Sequence, residues 1–279
     1  MLTQAHQRFY QNNGYVVVSG LFSRAEVDHL REHYMSLRQE PRPNDDTQIV
    51  VSGDDPIKRY PRLIKPHLWD DLSRRWMLDP RLASCMTGLL GAEPYAAQTM
   101  VYFKPPGARG QAPHQDNYYL RVHPGTCLAA WLALDDCDEA NGCLEVVPGS
   151  HAWDILCTED ADTTISFTSV TVPIPAGQSA QPVFMQAGDV MFFNGSIVHG
   201  SQPNTTSDRF RRALIAHYVE GSAEQVSKGY QPLWRMDGSQ LVLSASEIES
   251  STCGVWVERG GEPVIEMNGQ ELKTRRRGE

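Results

Sequence analysis

A chain of 279 residues with 41% hydrophobic and 21% charged side chains has the make-up of an ordinary globular protein with enough apolar material for a sizeable core. Its formal net charge of -9 disfavours a general nucleic-acid binder, which presents a basic face. Residues 1–15 hold no apolar stretch of the kind a secretion leader needs, and no run reaches the length of a membrane span. Six cysteines (Cys85, Cys127, Cys137, Cys143, Cys157 and Cys253) are scattered without a C-x-x-C pair. That pattern reads as free, reduced thiols in a cytoplasmic protein.

In chain order, residues 3–13 form a polar helix ended by Gly14, and Tyr15-Val16-Val17-Val18 a short β-branched strand. Ser23 with Glu26 is a capping box. It opens a helix over 24–38 with Val27, Leu30, Tyr34 and Leu37 on one side, and Pro41 and Pro43 stop it. Residues 41–57 read as a long loop, which in a compact domain is often a lid. Lys58, Arg59, Arg62, Lys65 and His67 then concentrate positive charge in an acidic chain. They are either a solvated loop or a clamp for an anionic group on the substrate or cosubstrate. A helical pattern over 69–90 turns Leu72, Trp76, Leu82, Met86 and Leu89 to the core and stops at Gly91.

From Tyr95 onward the period changes to two. Residues 95–104 alternate, and Cys127 to Leu134 is a near-continuous apolar run centred on Trp131, as in a buried strand. Further short strands are expected over 143–147, 168–174, 182–186, 189–193, 196–199 and 212–219. Many short strands separated by Gly/Pro turns favour a sandwich or barrel. Residues 221–279 are mixed and end in Arg275-Arg276-Arg277, a solvated tail.

One stretch carries chemistry. His114-Gln115-Asp116 is the single His-x-Asp or His-x-Glu in the chain, and on an extended strand its outer two side chains leave one face. His199, at the end of a second hairpin, offers another imidazole. Two histidines and one carboxylate on a triangular face leave the opposite positions of a metal open, as in non-haem Fe(II) oxygenases. Alone, His-x-Asp is a weak signal that a surface hydrogen-bonded pair also produces. His151 and His217 read as structural, and Cys127 and Cys143 as small buried hydrophobes. Tyr118, Tyr119, Arg121 and Trp153 wall a pocket or simply pack.

Taken together, Lys104-Pro105-Pro106-Gly107, His114-Gln115-Asp116-Asn117-Tyr118-Tyr119, Trp131-Leu132-Ala133-Leu134-Asp135, Asn141-Gly142-Cys143-Leu144, Val147-Pro148-Gly149-Ser150-His151, and His199-Gly200-Ser201 with Phe210-Arg211-Arg212 resemble the phytanoyl-CoA dioxygenase family over residues 10–220. The resemblance implies a mainly β fold with flanking helices around a double-stranded β-helix (jelly-roll, cupin-like) core. It also implies a single oxygenase domain over 1–279: a helical lid region at 1–94, the core at 95–220, and a C-terminal extension of unassigned role at 221–279. His114, Asp116 and His199 match the family's iron ligands. Arg211 matches the arginine that meets the far carboxylate of 2-oxoglutarate; Arg212, on the opposite side of the strand, is the second choice. Ser201, Trp131 and Gln115 match further cosubstrate contacts, and Gln98 and Tyr102 join them from the preceding strand.

The implied activity is that of a dioxygenase using Fe(II), 2-oxoglutarate and O2 to hydroxylate a small molecule, with release of succinate and CO2. Desaturation, epoxidation or cyclisation by the same chemistry stays open, as does a non-catalytic jelly roll that binds a metal or ligand. Asp116 speaks against a halogenase, which leaves out the carboxylate ligand to make room for halide. The expected partner is an anionic small molecule, with no nucleic acid and no membrane. No residue here points to an acyl-CoA.

Overall fold

The strand Cys127–Ala133 is buried along its whole length, because both of its faces are covered. Leu128, Ala130 and Leu132 join a core with Val27, Leu30, Tyr34, Trp76, Leu82 and Met86 of the N-terminal helices. Ala129, Trp131 and Ala133 face the other way, into a second core with Leu144, Val146, Val183, Met191 and Ile215. A strand packed on both sides has no polar alternation to show, which is why the sequence reads there as a continuous apolar run.

The computed structural model describes residues 2–40, 55–248 and 252–268. Most of the loop expected over 41–57, and the Arg275–Arg277 tail, lie outside the described residues. The main sheet runs Tyr15–Val18, Val190–Asn194, Cys127–Ala133, Ala213–Val219, Tyr95–Tyr102, then the short Leu233–Trp234 and Gln240–Leu241. Leu63–Ile64 also pairs with Tyr95–Tyr102. The facing sheet is smaller: Gln111–His114, His199–Ser201, Leu144–Val146 and Gln181–Val183. Together they make the jelly-roll core expected from the resemblance. The paired strands within each sheet are antiparallel.

The helices pack on the outer face of the main sheet. Gln4–Asn13 ends at Gly14, whose φ of 80° only glycine adopts without strain. Arg24–Leu37 opens on the Ser23/Glu26 capping box. The pattern over 69–90 is two helices rather than one, Asp71–Met77 and Pro80–Leu90. Asp79 caps the second through the Arg81 N–H, and Pro80 at its first position cannot continue a preceding helix.

Two of the six cysteines correct the reading of free thiols. Cys157 and Cys253, 96 residues apart, form a disulfide, while Cys85, Cys127, Cys137 and Cys143 are free and buried. The bond joins the 150s loop to a hairpin made of Cys253–Arg259 and Glu262–Asn268, where Trp256 meets Trp153 edge-on. Tertiary docking creates this proximity, and no local cysteine spacing encodes it.

Candidate active site

His114 and His199 are direct cross-strand partners in the small sheet, so their rings leave the same face with centroids 4.2 Å apart. Asp116 joins them by a different route from the one the spacing suggested. The strand ends at His114, and Asp116 is helical (φ -64°, ψ -35°) at the start of the one-turn helix Asn117–Leu120. The chain turn, not strand alternation, swings its carboxylate back. One ligand atom from each of His114, Asp116 and His199 then lies within 4.8 Å of the others.

The histidine tautomers are set by the backbone. Nδ1 of His114 meets Ala112 O at 3.0 Å, and Nδ1 of His199 meets Ile197 O at 3.1 Å. A carbonyl only accepts, so both Nδ1 atoms carry the proton and both Nε2 atoms present a lone pair. Burial, then the neighbouring His199, pushes His114 down to about 3, which keeps it neutral. Burial alone would raise the Asp116 carboxyl, but His217 and His199 beside it hold it well below the usual carboxylate range. Two neutral imidazole lone pairs and one carboxylate, converging on one point, are a donor set that fits a divalent transition metal.

His217, read from sequence as structural, bonds Asp116 directly: its Nε2 lies 2.9 Å from Oδ2. Gln98 Nε2 stands 3.1 Å from His217 Nδ1. With the amide donating, His217 Nδ1 accepts and Nε2 holds the proton that Asp116 receives. Gln98, expected at the cosubstrate, thus has its amide nitrogen on His217.

Behind the triangle, a small cavity of about 30 Å³ is lined by Trp131, Ser201, Arg211 and Tyr102 together with the three converging residues. Arg211 is buried, with its guanidinium over the Trp131 ring. Its Nε donates to Gly142 O at 3.0 Å, and Nη2 reaches Ser201 Oγ at 3.5 Å. Arg212 points outward and forms a fork with Asp135 at 2.7 and 2.8 Å, so Arg211 is the one that faces the cavity. Lys104 lies beside it, also buried. Among the described residues no carboxylate pairs with either cation. Two buried cations beside an unfilled space suit an anionic ligand.

Gln115 corrects its expected role as a cosubstrate contact. Its side chain is fully buried and does not join the cavity lining. There it receives Leu156 N–H at 2.8 Å and donates to Ser196 O at 2.8 Å. Gln115 therefore anchors the 150s loop and does not touch the cavity.

The mouth is a larger cavity of about 290 Å³, lined by Arg62, Gln98, Tyr102, Tyr119, Thr168 and Tyr230, among others. Of the cationic cluster, Arg62 lines this cavity, buried against the Tyr102 and Phe167 rings and donating to Tyr102 Oη at 2.8 Å. Lys58 and Arg59 are exposed. Lys65 bonds Gly229 O and lies over the Tyr230 ring, fixing part of the wall. Of the residues read as either pocket wall or packing, Tyr119 lines the mouth, Trp153 packs with the C-terminal hairpin and Arg121 bonds Ile248 O. Tyr230 comes from the stretch to which the sequence assigned no role.

The phytanoyl-CoA dioxygenase family model matches residues 10–213. The chain belongs to this family. Phytanoyl-CoA dioxygenase 1 of Oryza sativa subsp. japonica is 26% identical over 265 residues, covering 81% of this chain and 92% of that one. Among solved structures, the carbocyclase SnoK from nogalamycin biosynthesis aligns with a TM-score of 0.65 at 25% identity, over 80% of this chain and 86% of that one. The epimerase SnoN, in complex with Fe3+, alpha ketoglutarate and nogalamycin RO, aligns with a TM-score of 0.63 at 25% identity, over 79% and 84%. The protein is accordingly an Fe(II)- and 2-oxoglutarate-dependent dioxygenase, with O2 as the second cosubstrate. Among the described residues no helix is long and apolar enough to cross a membrane.

Proposed function

We propose that this oxygenase hydroxylates a small, anionic molecule, with His114, Asp116 and His199 holding the iron and Arg211 anchoring the far carboxylate of 2-oxoglutarate. The observation that carries the reading is the placement of two imidazole Nε2 atoms and a carboxylate around a cavity that Arg211 shares. The Nε2 of His114 is also met by the Gln111 amide at 3.1 Å, and Arg211 is a buried cation that pairs with no carboxylate among the described residues. Iron, when bound, couples decarboxylation of 2-oxoglutarate to succinate and CO2 with oxidation of a substrate C–H bond. The protein's part is placement. The Arg211 fork meets a carboxylate, Ser201, Trp131 and Tyr102 wall the cosubstrate, and His217 steadies Asp116.

Two observations support an anionic, polar substrate. Arg62 contributes a buried positive charge to the mouth, and Gln98, Gln111, Thr168 and Ser169 add polar groups to its lining. Residues 1–279 are read as one oxygenase domain, to whose mouth Tyr230 adds a wall from beyond the core. A cytoplasmic location is the reading that four free, buried thiols support; the Cys157–Cys253 bond pulls against it.

The test is succinate release from 2-oxoglutarate with Fe(II) and a panel of small carboxylates, phosphates and acyl-CoA thioesters. Wild type turns over with a small anion, and His114→Ala or Asp116→Ala abolishes turnover. Equal release by those variants defeats the assignment, and stimulation by acyl-CoA alone defeats the substrate class. SnoK and SnoN favour a second outcome, ring closure or epimerisation. Desaturation and epoxidation draw on the same oxidising power. Product mass separates hydroxylation or epoxidation, which add one oxygen, from ring closure or desaturation, which remove two hydrogens, and from epimerisation, which changes nothing; the product's NMR spectrum then distinguishes the members of each pair. A silent binding protein would take up metal and consume no O2.

A further inference from the structure

We propose that Lys104 is a positioning residue for the far carboxylate of 2-oxoglutarate, acting through the hydroxyl of Ser201. The inference rests on the reading that the Arg211 end of the cavity receives that carboxylate.

Lys104 opens the turn after the Tyr95–Tyr102 strand and holds a φ of 27°, a conformation that costs a non-glycine residue energy and persists only where its surroundings enforce it. They do. Lys104 O accepts from Arg211 N at 3.1 Å and from Asn204 Nδ2 at 3.2 Å, which ties its backbone to the start of the Arg211 strand. The side chain ends at three acceptors: Gly142 O at 3.1 Å, Ser201 Oγ at 2.9 Å and Gln202 O at 2.5 Å. An ammonium has three protons and no acceptor, so all three contacts are donations and Ser201 Oγ receives one of them. Gly142 is required for this approach. A Cβ there would stand 2.9 Å from Lys104 Nζ and 2.4 Å from Gln202 O. The same Gly142 carbonyl accepts from Arg211 Nε, so one glycine holds both cations.

Ser201 Oγ also accepts from Gln111 N–H at 3.3 Å. A hydroxyl has two lone pairs and one proton. Three donors approach Ser201 Oγ: Lys104 Nζ at 2.9 Å, Gln111 N–H at 3.3 Å and, farthest off, Arg211 Nη2 at 3.5 Å. With the two shorter contacts on its lone pairs, the proton is left to point into the cavity that Ser201 shares with Arg211. A carboxylate seated on Arg211 then receives a hydroxyl proton whose direction Lys104 has fixed. Burial, then the neighbouring Arg211, pushes the Lys104 ammonium well below the ordinary lysine range, and an anion beside the pair relieves that pressure. Lys104 thus also adds positive charge behind a carboxylate that it does not touch.

The test is calorimetric binding of two ligands to Mn(II)-loaded protein: 2-oxoglutarate, and 2-oxopentanoate, which carries a methyl group in place of the far carboxylate. Lys104→Met, which keeps the length and loses the donors, should raise the Kd for 2-oxoglutarate by roughly tenfold or more and leave that for 2-oxopentanoate within about twofold. In the Ser201→Ala background the same substitution should have a clearly smaller effect, as coupled residues require. Lys104→Gln serves as the second variant, and thermal melting confirms that each protein is folded. An unchanged Kd for 2-oxoglutarate overturns the proposal. So does an equal loss for both ligands, or an undiminished effect without Ser201, since either marks Lys104 as purely structural. If wild type itself binds the two ligands equally, the assignment of Arg211 fails, and that outcome is distinct from the others.

Discussion

His217 presents its protonated Nε2 to Asp116 Oδ2 at 2.9 Å, and Gln98 holds the opposite ring nitrogen at 3.1 Å. The carboxylate is thereby oriented from behind, with Oδ1 3.6 Å from His114 Nε2. Groups in this position typically change metal affinity or activity by 10–100-fold. His217→Phe, which keeps a ring and removes the donor, should weaken Mn(II) or Fe(II) binding by about that factor. Equilibrium metal titration checks it, and unchanged affinity would reduce His217 to packing.

Arg62 and Arg59 make a matched pair for testing substrate charge. One lines the mouth and is buried; the other is exposed. With a substrate found from the panel, Arg62→Gln should raise its KM about tenfold or more. Arg59→Gln should change it less than about twofold, because an exposed charge is screened. Equal effects would return the cluster to a general surface field.

His67 gives a pH signature in stability. It is 1% exposed, and its Nδ1 faces the Thr99 N–H at 3.2 Å. Protonating that nitrogen would set donor against donor. Burial, then Lys65 and Arg74, lowers its pKa from 6.5 to about 4. A histidine depressed in the folded state contributes stability that is present above 6.5 and lost as pH falls towards 4. The full loss is about 3 kcal/mol, of which about 2 kcal/mol is gone by pH 5. Urea midpoints at pH 7.5 and 5 check this. His67→Gln should narrow the gap between them, and an identical gap would show that His67 does not carry it.

Reducing the Cys157–Cys253 bond should act on the C-terminal hairpin first. A loop of 96 residues is long enough for closure to contribute about 2–4 kcal/mol. Cys253→Ser should lower the melting temperature and speed hydrogen exchange across Cys253–Asn268, while the main sheet stays protected. Uniform loosening of every strand would count against a local role.

Much of this was open to sequence reasoning where the signal is local. The capping box at Ser23, the breaks at Gly14 and Gly91, and the doubly covered strand at 127–133 each follow from neighbouring residues. The convergence of His114, Asp116 and His199 was visible as a resemblance, but the way it is achieved was not: Asp116 turns in a helix, and strand alternation does not place it. Gln115 was misassigned for a related reason: its side chain is held by Leu156 N–H and Ser196 O, partners from distant segments that adjacency to the ligands in the chain does not report. His217 had a readable clue, lying in phase with Ala213 and Ile215 on the inner face of the main sheet. Tyr230, Lys104 and the disulfide depend on contacts between distant segments, and no periodicity reports those.

The direct pairing of His114 with His199 has a consequence for assembly. Strands repeat every two residues, so a slip by one position would turn one imidazole to the far side of the small sheet. An ion that needs both rings rejects every slipped arrangement, and its binding energy goes to the correct one alone. Metal loading thus proofreads the strand alignment that creates its own seat.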